Sequence, residues 1–329
     1  MHPARLREIA ERNQVALPGV GETELHEAGR FTDFAQFIQV WISTSAVLQR
    51  ERDFRQVVVD YAAAAAAQGC VYIEAIFSPA EPVRRGTPWQ EVFEGYCSGA
   101  DEARDLHGVE VRFTPDITRD FPLDIAESVA RWAVRFRERG VVGLGLGGSE
   151  RLYPPELFAG PFAIARVGGL RAAPHAGETQ GSASLRGALD VLHAERLRHG
   201  VRAVEDPGLL AEIASRGVVC DVTPTSNLRL GVVPSLGEHP LPHMLAAGVK
   251  CSISTDDPAL MDTDLARECE VATRLGHSSR DMYAHALDGA FCDAGLKARL
   301  RAHADAHDWG AAEGRATGAQ GLVSPNQTC

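Results

Sequence analysis

Short apolar runs rich in β-branched residues alternate along this chain with longer amphipathic segments. The amphipathic segment Phe54 to Gln68 ends at Gly69, where a left-handed residue can follow a helix, and the apolar run Val71 to Phe77 comes next. The same order recurs over residues 91–113 and 123–146. A helical period followed by a short continuous apolar run is typical of helices that connect buried parallel strands. We therefore predict an alternating α/β chain.

Seven runs qualify as strands, one fewer than an eight-stranded barrel requires. They are Val71 to Phe77, Val109 to Phe113, Val141 to Leu146, Leu170 to Pro174, Arg196 to Arg198, Val218 to Val222 and Val249 to Ser254. The chain opens instead with a helix-like segment, Pro3 to Asn13, and no strand signal precedes Val71. The predicted fold class is α/β, a TIM-type (β/α)8 barrel that lacks its first strand in this chain.

One barrel domain accounts for most of the chain. No interior linker or change in composition divides residues 1–309, whereas residues 310–329 are rich in Gly, Ala, Ser, Asn and Gln. A segment of that composition buries too little apolar surface to order itself, so we predict a flexible C-terminal tail.

Composition and charge restrict the classes of molecule that this chain is expected to bind. The chain has 329 residues, of which 45% are hydrophobic and 23% charged, and its formal net charge is -11. That charge repels phosphate backbones and anionic lipid, so we expect no nucleic acid or membrane partner and instead a small neutral or cationic ligand. No apolar stretch approaches the roughly 20 residues of a membrane helix, and residues 1–12 lack a signal-peptide core, which predicts a cytoplasmic protein.

Cysteine spacing excludes one kind of metal site. The seven cysteines are scattered, and no two form a Cys-x-x-Cys pair. A disulfide framework and a zinc ribbon are therefore not expected, and the cysteines that lie in apolar runs are predicted to act as small core residues.

Polar residues follow the later strands, at the barrel end that carries the chemistry of such folds. His175 and Glu178 follow one strand, His199 follows the next, and Asp256 and Asp257 follow the last. Taken singly, His199 is typical of a structural histidine, and the two aspartates before a proline are typical of a helix cap. Imidazoles and carboxylates gathered at one barrel mouth instead favour zinc binding and hydrolysis.

Four motifs resemble those of the adenosine deaminase family, and the likeness spans nearly the whole chain. They are His-Ala-Gly-Glu at 175–178, Arg-His-Gly at 198–200, Pro-Thr-Ser-Asn at 224–227 and Ser-Thr-Asp-Asp-Pro at 254–258. Residues 10–13, 17–18 and 142–150 are also similar to the family's first helix, the turn after it and its fourth strand. The resemblance makes the barrel a catalytic domain of a metal-dependent amidohydrolase.

The resemblance also implies a Zn²⁺ cofactor and a role for each residue. His175 and Asp256 bind the metal, and Asp256 is counted among the catalytic residues with Glu178 and His199. Glu178 protonates the purine N1, and His199 orients or deprotonates the attacking water. The substrate-binding residues are Asp257, which bonds the purine N7, and Gly148, whose backbone N–H faces N3.

One departure from the family concerns its first strand, which carries a His-x-His pair of zinc ligands. His2 and His26 are isolated and match no such pair. Two explanations are open: Met1 is an internal start of a longer protein, which we favour, or the chain has lost its metal chemistry. A barrel without its first strand also presents two unpaired strand edges, which predicts a tendency to associate as a homo-oligomer.

For three other motifs the sequence predicts no binding or catalytic function. The pattern Gly-x-Gly-x-x-Gly at 143–148 is followed by prolines rather than by a long helix, so a dinucleotide site is not expected. His-Ala-Glu at 193–195 lacks the Cys-x-x-Cys that the other zinc deaminase class requires. The arginines between 131 and 139 are typical of a solvated helix face.

The predicted function is zinc-dependent hydrolytic deamination of adenosine or a related 6-aminopurine nucleoside, with release of ammonia. The modified nucleoside aminodeoxyfutalosine, which some bacterial relatives process in menaquinone biosynthesis, is one candidate substrate. Two alternatives stay open. One is a catalytically impaired purine-binding barrel without the metal site, and the other is a different metal-dependent amidohydrolase that cleaves an amide or lactam.

Overall fold

Helices, rather than a strand, open the computed structural model, which describes residues 3–17 and 34–309. The first helix, Pro3–Asn13, buries Leu6, Ile9 and Ala10, whose spacing of three and one places them on one face. The fully buried Asp53 ties this helix to the helix Glu51–Ala66, because its carboxylate accepts hydrogen bonds from the side chains of Asn13 and Arg12.

Eight short strands follow in parallel order. They are β1 (Tyr72–Ala75), β2 (Glu110–Phe113), β3 (Asp116–Thr118), β4 (Gly143–Gly147), β5 (Arg171–Ala176), β6 (Arg196–His199), β7 (Val219–Val222) and β8 (Lys250–Ile253). β1 pairs with β2, and β3 to β8 pair in sequence order. Pro115 separates β2 from β3, but a bridge from Phe113 to Val141 shows that both occupy one position beside β4. Within the described residues the strands therefore fill seven positions, one for each predicted run, although β3 itself was not predicted.

Helices connect these strands on the outside of the sheet. The helix Phe34–Ser45 precedes Glu51–Ala66. The main helices after Glu51–Ala66 are Trp89–His107, Leu123–Arg135, Ala159–Val167, Pro207–Arg216, Leu241–Ala246, Leu265–Arg274, Ser279–Gly289 and Ala294–Asp305. Shorter helices lie at Ala80–Arg84, Ser182–Arg186 and Pro224–Arg229. Gly108 follows the long helix with φ of +68°, as the sequence pattern predicts. No helix among the described residues has the length and apolar character that crossing a membrane requires.

An opening lies between β1 and β8, since no strand among residues 3–17 and 34–309 pairs with the outer edge of either. Contacts that cross it include the approach of the Tyr61 hydroxyl to Thr255 Oγ1, 3.3 Å apart, and the hydrogen bond that the Phe291 backbone N–H donates to Glu74 Oε1 at 2.5 Å. The predicted α/β class with a TIM-type arrangement is confirmed. His2, His26 and the predicted tail 310–329 lie outside the described residues.

The inside of the sheet is charged, although such interiors are usually filled by branched apolar side chains. Arg196 on β6 contacts Glu74 Oε2 at 2.6 Å and Asp221 Oδ2 at 2.8 Å, and all three side chains are largely buried. We call Glu74, Arg196 and Asp221 the floor network. One layer nearer the strand ends, Arg198 pairs with Asp116 across the sheet. Apolar residues instead form the layer between sheet and helices.

Candidate active site

Three polar side chains converge where the later strands end. Ligand atoms of Glu178, His199 and Asp256 all lie within 4.8 Å of one another, and the ring of His175 lies 5.2 Å from that of His199 between centroids. His175 belongs to β5, His199 ends β6, and Asp256 follows β8. Because the carboxyl ends of parallel strands meet at one rim, residues far apart in sequence come together here.

His175 presents one free ring nitrogen to the site. Its Nδ1 lies 3.0 Å from the Leu146 carbonyl oxygen and 3.4 Å from Asp116 Oδ2. Burial holds its pKa well below the ordinary value, and the charges of Arg198 and His199 lower it further. The imidazole is therefore neutral near pH 7, which is the form in which histidine binds a metal ion.

Glu178 sits in a loop that a second carboxylate organises from behind. The buried Glu150 accepts hydrogen bonds from the backbone N–H groups of Gly177, Glu178 and Thr179 at 2.8, 3.1 and 2.6 Å. The Ser184 hydroxyl adds another at 2.7 Å. These donors keep the pKa of Glu150 below its ordinary value although burial opposes them. The loop after β5 is thus fixed by charge-assisted hydrogen bonds.

The Glu178 carboxyl itself is buried and has few partners. Its Oε2 lies 3.7 Å from His199 Nε2, and the residue is 6% exposed. Burial raises its pKa to about 7, with the His199 ring opposing and the Asp256 charge adding to the rise. A substantial fraction of Glu178 therefore carries a proton near neutral pH, which suits a general acid.

Asp256 and Asp257 follow β8 and are partly buried. Asp256 has φ of +55°, a conformation that residues with side chains rarely adopt, and the Ser226 hydroxyl donates to its Oδ2 at 2.6 Å. Burial and, second, the neighbouring Asp256 charge together raise the pKa of Asp257 to about 7. A protonated Asp257 can donate a hydrogen bond to a ring nitrogen.

His199 also has a strained backbone, with φ of +64°, and it is 2% exposed. Its Nδ1 lies 3.1 Å from Thr223 Oγ1 and 3.4 Å from Asn227 Nδ2. Nε2 faces the site side, toward Glu178. Strain of this kind persists where surrounding contacts over-determine it, and it clusters at functional sites.

Gly148 lies just beyond β4, with φ of +98°. A Cβ atom there would collide with Asp120 Oδ2 and would lie 3.3 Å from the Arg119 backbone nitrogen, so only glycine fits. The nearly inaccessible Arg119 donates to the Tyr153 and His175 carbonyl oxygens at 2.6 and 2.7 Å. It thereby holds the loop after β4 against the end of β5.

The structure brings together four of the sequence-predicted residues, His175, Glu178, His199 and Asp256, and their roles stay predictions. The substrate-binding roles of Asp257 and Gly148 also stay predictions. Sequence reasoning missed the supporting residues Glu150 and Arg119. It also missed His239, a buried histidine whose Nε2 lies 3.2 Å from Asn227 Oδ1. Glu150 is the last residue of the segment 142–150 that resembles the family's fourth strand, but nothing in the sequence indicates that it contacts residues 177–184.

The donor set suits a zinc ion in kind. Imidazole nitrogen and carboxylate oxygen are the ligands that zinc takes in catalytic sites. His175 is also held through its other nitrogen by a backbone carbonyl, which is how metal-binding histidines are usually oriented. Catalytic zinc usually has three protein ligands. Within the described part of the chain, His175 and Asp256 are the two that we assign.

The fold and this cluster of acid, imidazole and carboxylate groups define an α/β-barrel hydrolase. The sequence profile of the family described as adenosine deaminase matches residues 1–307. The chain belongs to that family, which makes it an enzyme of the hydrolase class that cleaves C–N bonds.

Individual relatives agree with the family assignment. The chain is 47% identical over 316 residues to the aminodeoxyfutalosine deaminase of Acidothermus cellulolyticus, covering 94% of this chain and 89% of the relative. The crystal structure of an adenine deaminase from Arthrobacter aurescens superposes with a TM-score of 0.87 at 30% identity, covering 92% of this chain and 94% of that one. An amidohydrolase from Burkholderia ambifaria, solved with bound Zn, gives 0.84 at 26%, covering 97% and 88%.

Proposed function

We propose that this chain is a zinc-dependent deaminase that hydrolyses the 6-amino group of a purine nucleoside and releases ammonia. The observation that carries the proposal is the buried Glu178 carboxyl beside His199 and Asp256, whose pKa burial raises to about 7. Aromatic C6 is a poor electrophile until the ring is protonated, so an acid at N1 is what this reaction needs. The family membership and the zinc-bound structural neighbour support the same chemistry.

His175 and Asp256 would hold the zinc ion. When bound, the ion would supply Lewis-acid activation, which lowers the pKa of water from 15.7 to about 7. His175 is neutral and oriented by Leu146, and Asp256 is oriented by Ser226, so both ligands are fixed before the metal arrives. Preorganisation of this kind reduces the entropy lost on binding.

The remaining steps belong to side chains of this chain. Glu178 gives its proton to N1, the oxygen of water attacks C6, and the bond from C6 to the exocyclic nitrogen breaks. Of the two protons of the water, one reaches that nitrogen, which leaves as ammonia, and the other returns to Glu178, so that a 6-oxopurine protonated at N1 remains. Asp257 in its protonated form donates to the purine N7, and the backbone N–H of Gly148 donates to N3. Charge builds up where these donors are placed, and catalysis therefore draws on electrostatic stabilisation.

Aminodeoxyfutalosine is the substrate that we propose first. The relative named for that activity is 47% identical to this chain, whereas the adenine deaminase of Cupriavidus necator is 35% identical over 313 residues. The free base adenine is the second candidate, because the Arthrobacter aurescens structure that shares the fold carries that name.

Metal content and ammonia release test the proposal together. The purified chain is assayed for zinc per protomer and for ammonia from aminodeoxyfutalosine, adenosine and adenine, with Glu178→Gln as the matched inactive control. We expect about one zinc and turnover of aminodeoxyfutalosine that the variant loses. Zinc without ammonia from any of the three would refute deamination of these purines and favour a different amidohydrolase. Purine binding without zinc would favour the impaired purine-binding barrel.

A further inference from the structure

The helix Phe34–Ser45 shares an apolar cluster with the loops that follow β7 and β8. Its Phe37 is 6% exposed and belongs to this cluster together with Leu230, Leu260 and Met261. Leu230 follows the short helix after β7, and the other two residues follow β8. Because the candidate site lies where these strands end, a helix from the beginning of the chain lies beside the site.

Trp41 connects this helix to the site through a hydrogen bond. It comes one turn after Phe37, so the two side chains lie on one face of the helix. The indole packs against the same apolar cluster and is partly buried, and its N–H donates to the Asp257 carboxyl. This N–H is the only hydrogen-bonding group of a tryptophan side chain, so the bond fixes the direction in which that edge of the ring points.

Asp257 is thereby held at two points. Its backbone carbonyl oxygen accepts hydrogen bonds from the N–H groups of Leu260 and Met261 at 3.0 and 2.8 Å, which fixes the backbone after β8. Those bonds do not restrict the side-chain torsions of Asp257, whereas the bond from Trp41 does. A carboxyl group that is held through one oxygen presents the other in one direction, and binding groups are preorganised for a ligand by supporting bonds of this kind.

We propose that Trp41 is a positioning residue that directs the Asp257 carboxyl toward N7 of the bound purine. The inference rests on the proposed function, which assigns N7 to Asp257, and it adds a basis for specificity. A site that is built to bond a ring nitrogen leaves its own polar group unpaired when the ligand offers a C–H group instead. The chain should therefore select purines over 7-deazapurines, and the selection should depend on the Trp41 N–H.

Indole NMR tests the hydrogen bond without any turnover. The full chain is labelled with ¹⁵N-tryptophan, which gives one indole N–H signal for each of the four tryptophans, and the signal missing in Trp41→Phe identifies Trp41. Asp257→Asn replaces the carboxyl acceptor by an amide, so we expect the proton of this signal to move upfield while the other three signals stay in place. A Trp41 signal that Asp257→Asn leaves unchanged would overturn the inference.

Ligands with and without N7 test the effect on specificity. Dissociation constants of inosine, a 6-oxopurine nucleoside, and of 7-deazainosine are measured by calorimetry for the wild type and Trp41→Phe. We expect the wild type to prefer inosine at least about tenfold, as one hydrogen bond to a charged group allows. In the variant the affinity for inosine should fall about tenfold and that for 7-deazainosine should change less than about twofold. The same preference in both proteins, or a wild type that binds neither ligand or does not distinguish them, would contradict the assignment of Trp41.

Trp132→Phe is the matched control. It makes the same substitution in the helix Leu123–Arg135, where Trp132 stacks with Trp89 at 6.3 Å between ring centroids. Stability should fall, while the Trp41 signal and the preference for inosine stay as in the wild type. A preference that is lost in this variant as well would show that it follows general loosening of the fold, and the role of Trp41 would be refuted.

The inference and the proposed function can fail separately. Binding of inosine that depends on N7 and on Trp41, without ammonia release from any 6-aminopurine, would leave the inference standing and count against deamination. Ammonia release by a chain that selects N7 equally well with and without Trp41 would support deamination and refute the positioning role.

Discussion

Two clusters of polar residues lie inside this sheet, the floor network and the candidate site, and they differ in where their hydrogen-bonding atoms point. In the floor network, Arg196 lies between Glu74 and Asp221, and each charge is neutralised by a neighbour. At the site, Glu178 and His175 are held from behind, and the atoms that face the mouth have few partners. Buried polar groups that satisfy one another stabilise the fold, whereas groups held on one side only are available for chemistry.

The strands show the same contrast, because β6 contributes to both regions. Its inward side chains are Arg196, in the floor network, and Arg198, which bonds Asp116 and donates to Thr114 Oγ1 at 2.6 Å. The strand ends at His199, in the site. Gly145 on β4 leaves room for the Asp116 pair, since a Cβ atom there would collide with both Asp116 and Arg198. The first residues of β6 thus stabilise the fold through ion pairs, and its last residue belongs to the candidate site.

The largest expected effect is at the site, in Glu178→Gln. The amide cannot give a proton to N1, so kcat should fall about 10²- to 10⁴-fold, the usual contribution of a general acid. Zinc content and the melting temperature should stay close to the wild-type values, because Gln keeps the shape and removes a buried group that is costly to ionise. Steady-state ammonia release and metal analysis check this, and retained turnover would remove Glu178 from its assigned role.

The next effect belongs to the floor network, in Arg196→Met. Removing the guanidinium leaves the charges of Glu74 and Asp221 buried without a cation beside them, which typically costs about 3–5 kcal/mol, so denaturant unfolding should show a loss of about that size. Turnover per folded molecule should change little, since the network lies below the site. A large loss of kcat with unchanged stability would show that the two regions are not separate.

Much of this division could be predicted from the sequence, and the failures have a physical cause. The seven strand positions and the site residues at their ends follow from apolar runs and the polar residues after them. Arg196 and Arg198 could not be recognised as interior residues, because charged side chains are rarely buried without partners and those partners lie 122 and 82 residues away. Likewise, no local pattern links His239 to Asn227 or Glu150 to the loop after β5. Such contacts depend on the register between strands and on the paths of the loops.

A third prediction concerns the acid stability of the support behind the site. The pKa of His239 falls to about 4 in the folded protein because of burial, against about 6.5 in an unfolded chain. Its contribution is therefore complete above pH 6.5 and is lost as the pH falls through 4, since the unfolded state binds the additional proton. Two and a half pKa units correspond to at most about 3 kcal/mol.

The variant His239→Gln isolates this contribution from that of the other histidines. Urea unfolding at pH 7 and pH 4.5 should show a larger loss of stability on acidification in the wild type than in the variant. Equal losses in the two proteins would mean that His239 is as accessible to protons when folded as when unfolded.

The smallest expected effect compares two serines that do the same thing in the two regions. Ser226 donates to Asp256 at 2.6 Å in the site, and Ser252 donates to Asp221 at 2.5 Å in the floor network. Each alanine variant removes one hydrogen bond to a carboxylate, worth about 1.5 kcal/mol. Because Asp221 keeps Arg196 as a partner, Ser252→Ala should lower only the free energy of unfolding. Ser226 orients the Asp256 carboxylate that we propose as a zinc ligand, so Ser226→Ala should instead weaken zinc binding about tenfold, measured by competition with a chelator. Equal zinc affinity in the two variants would mean that Asp221 and Asp256 do not differ in the way proposed, the first paired within the fold and the second oriented for a ligand.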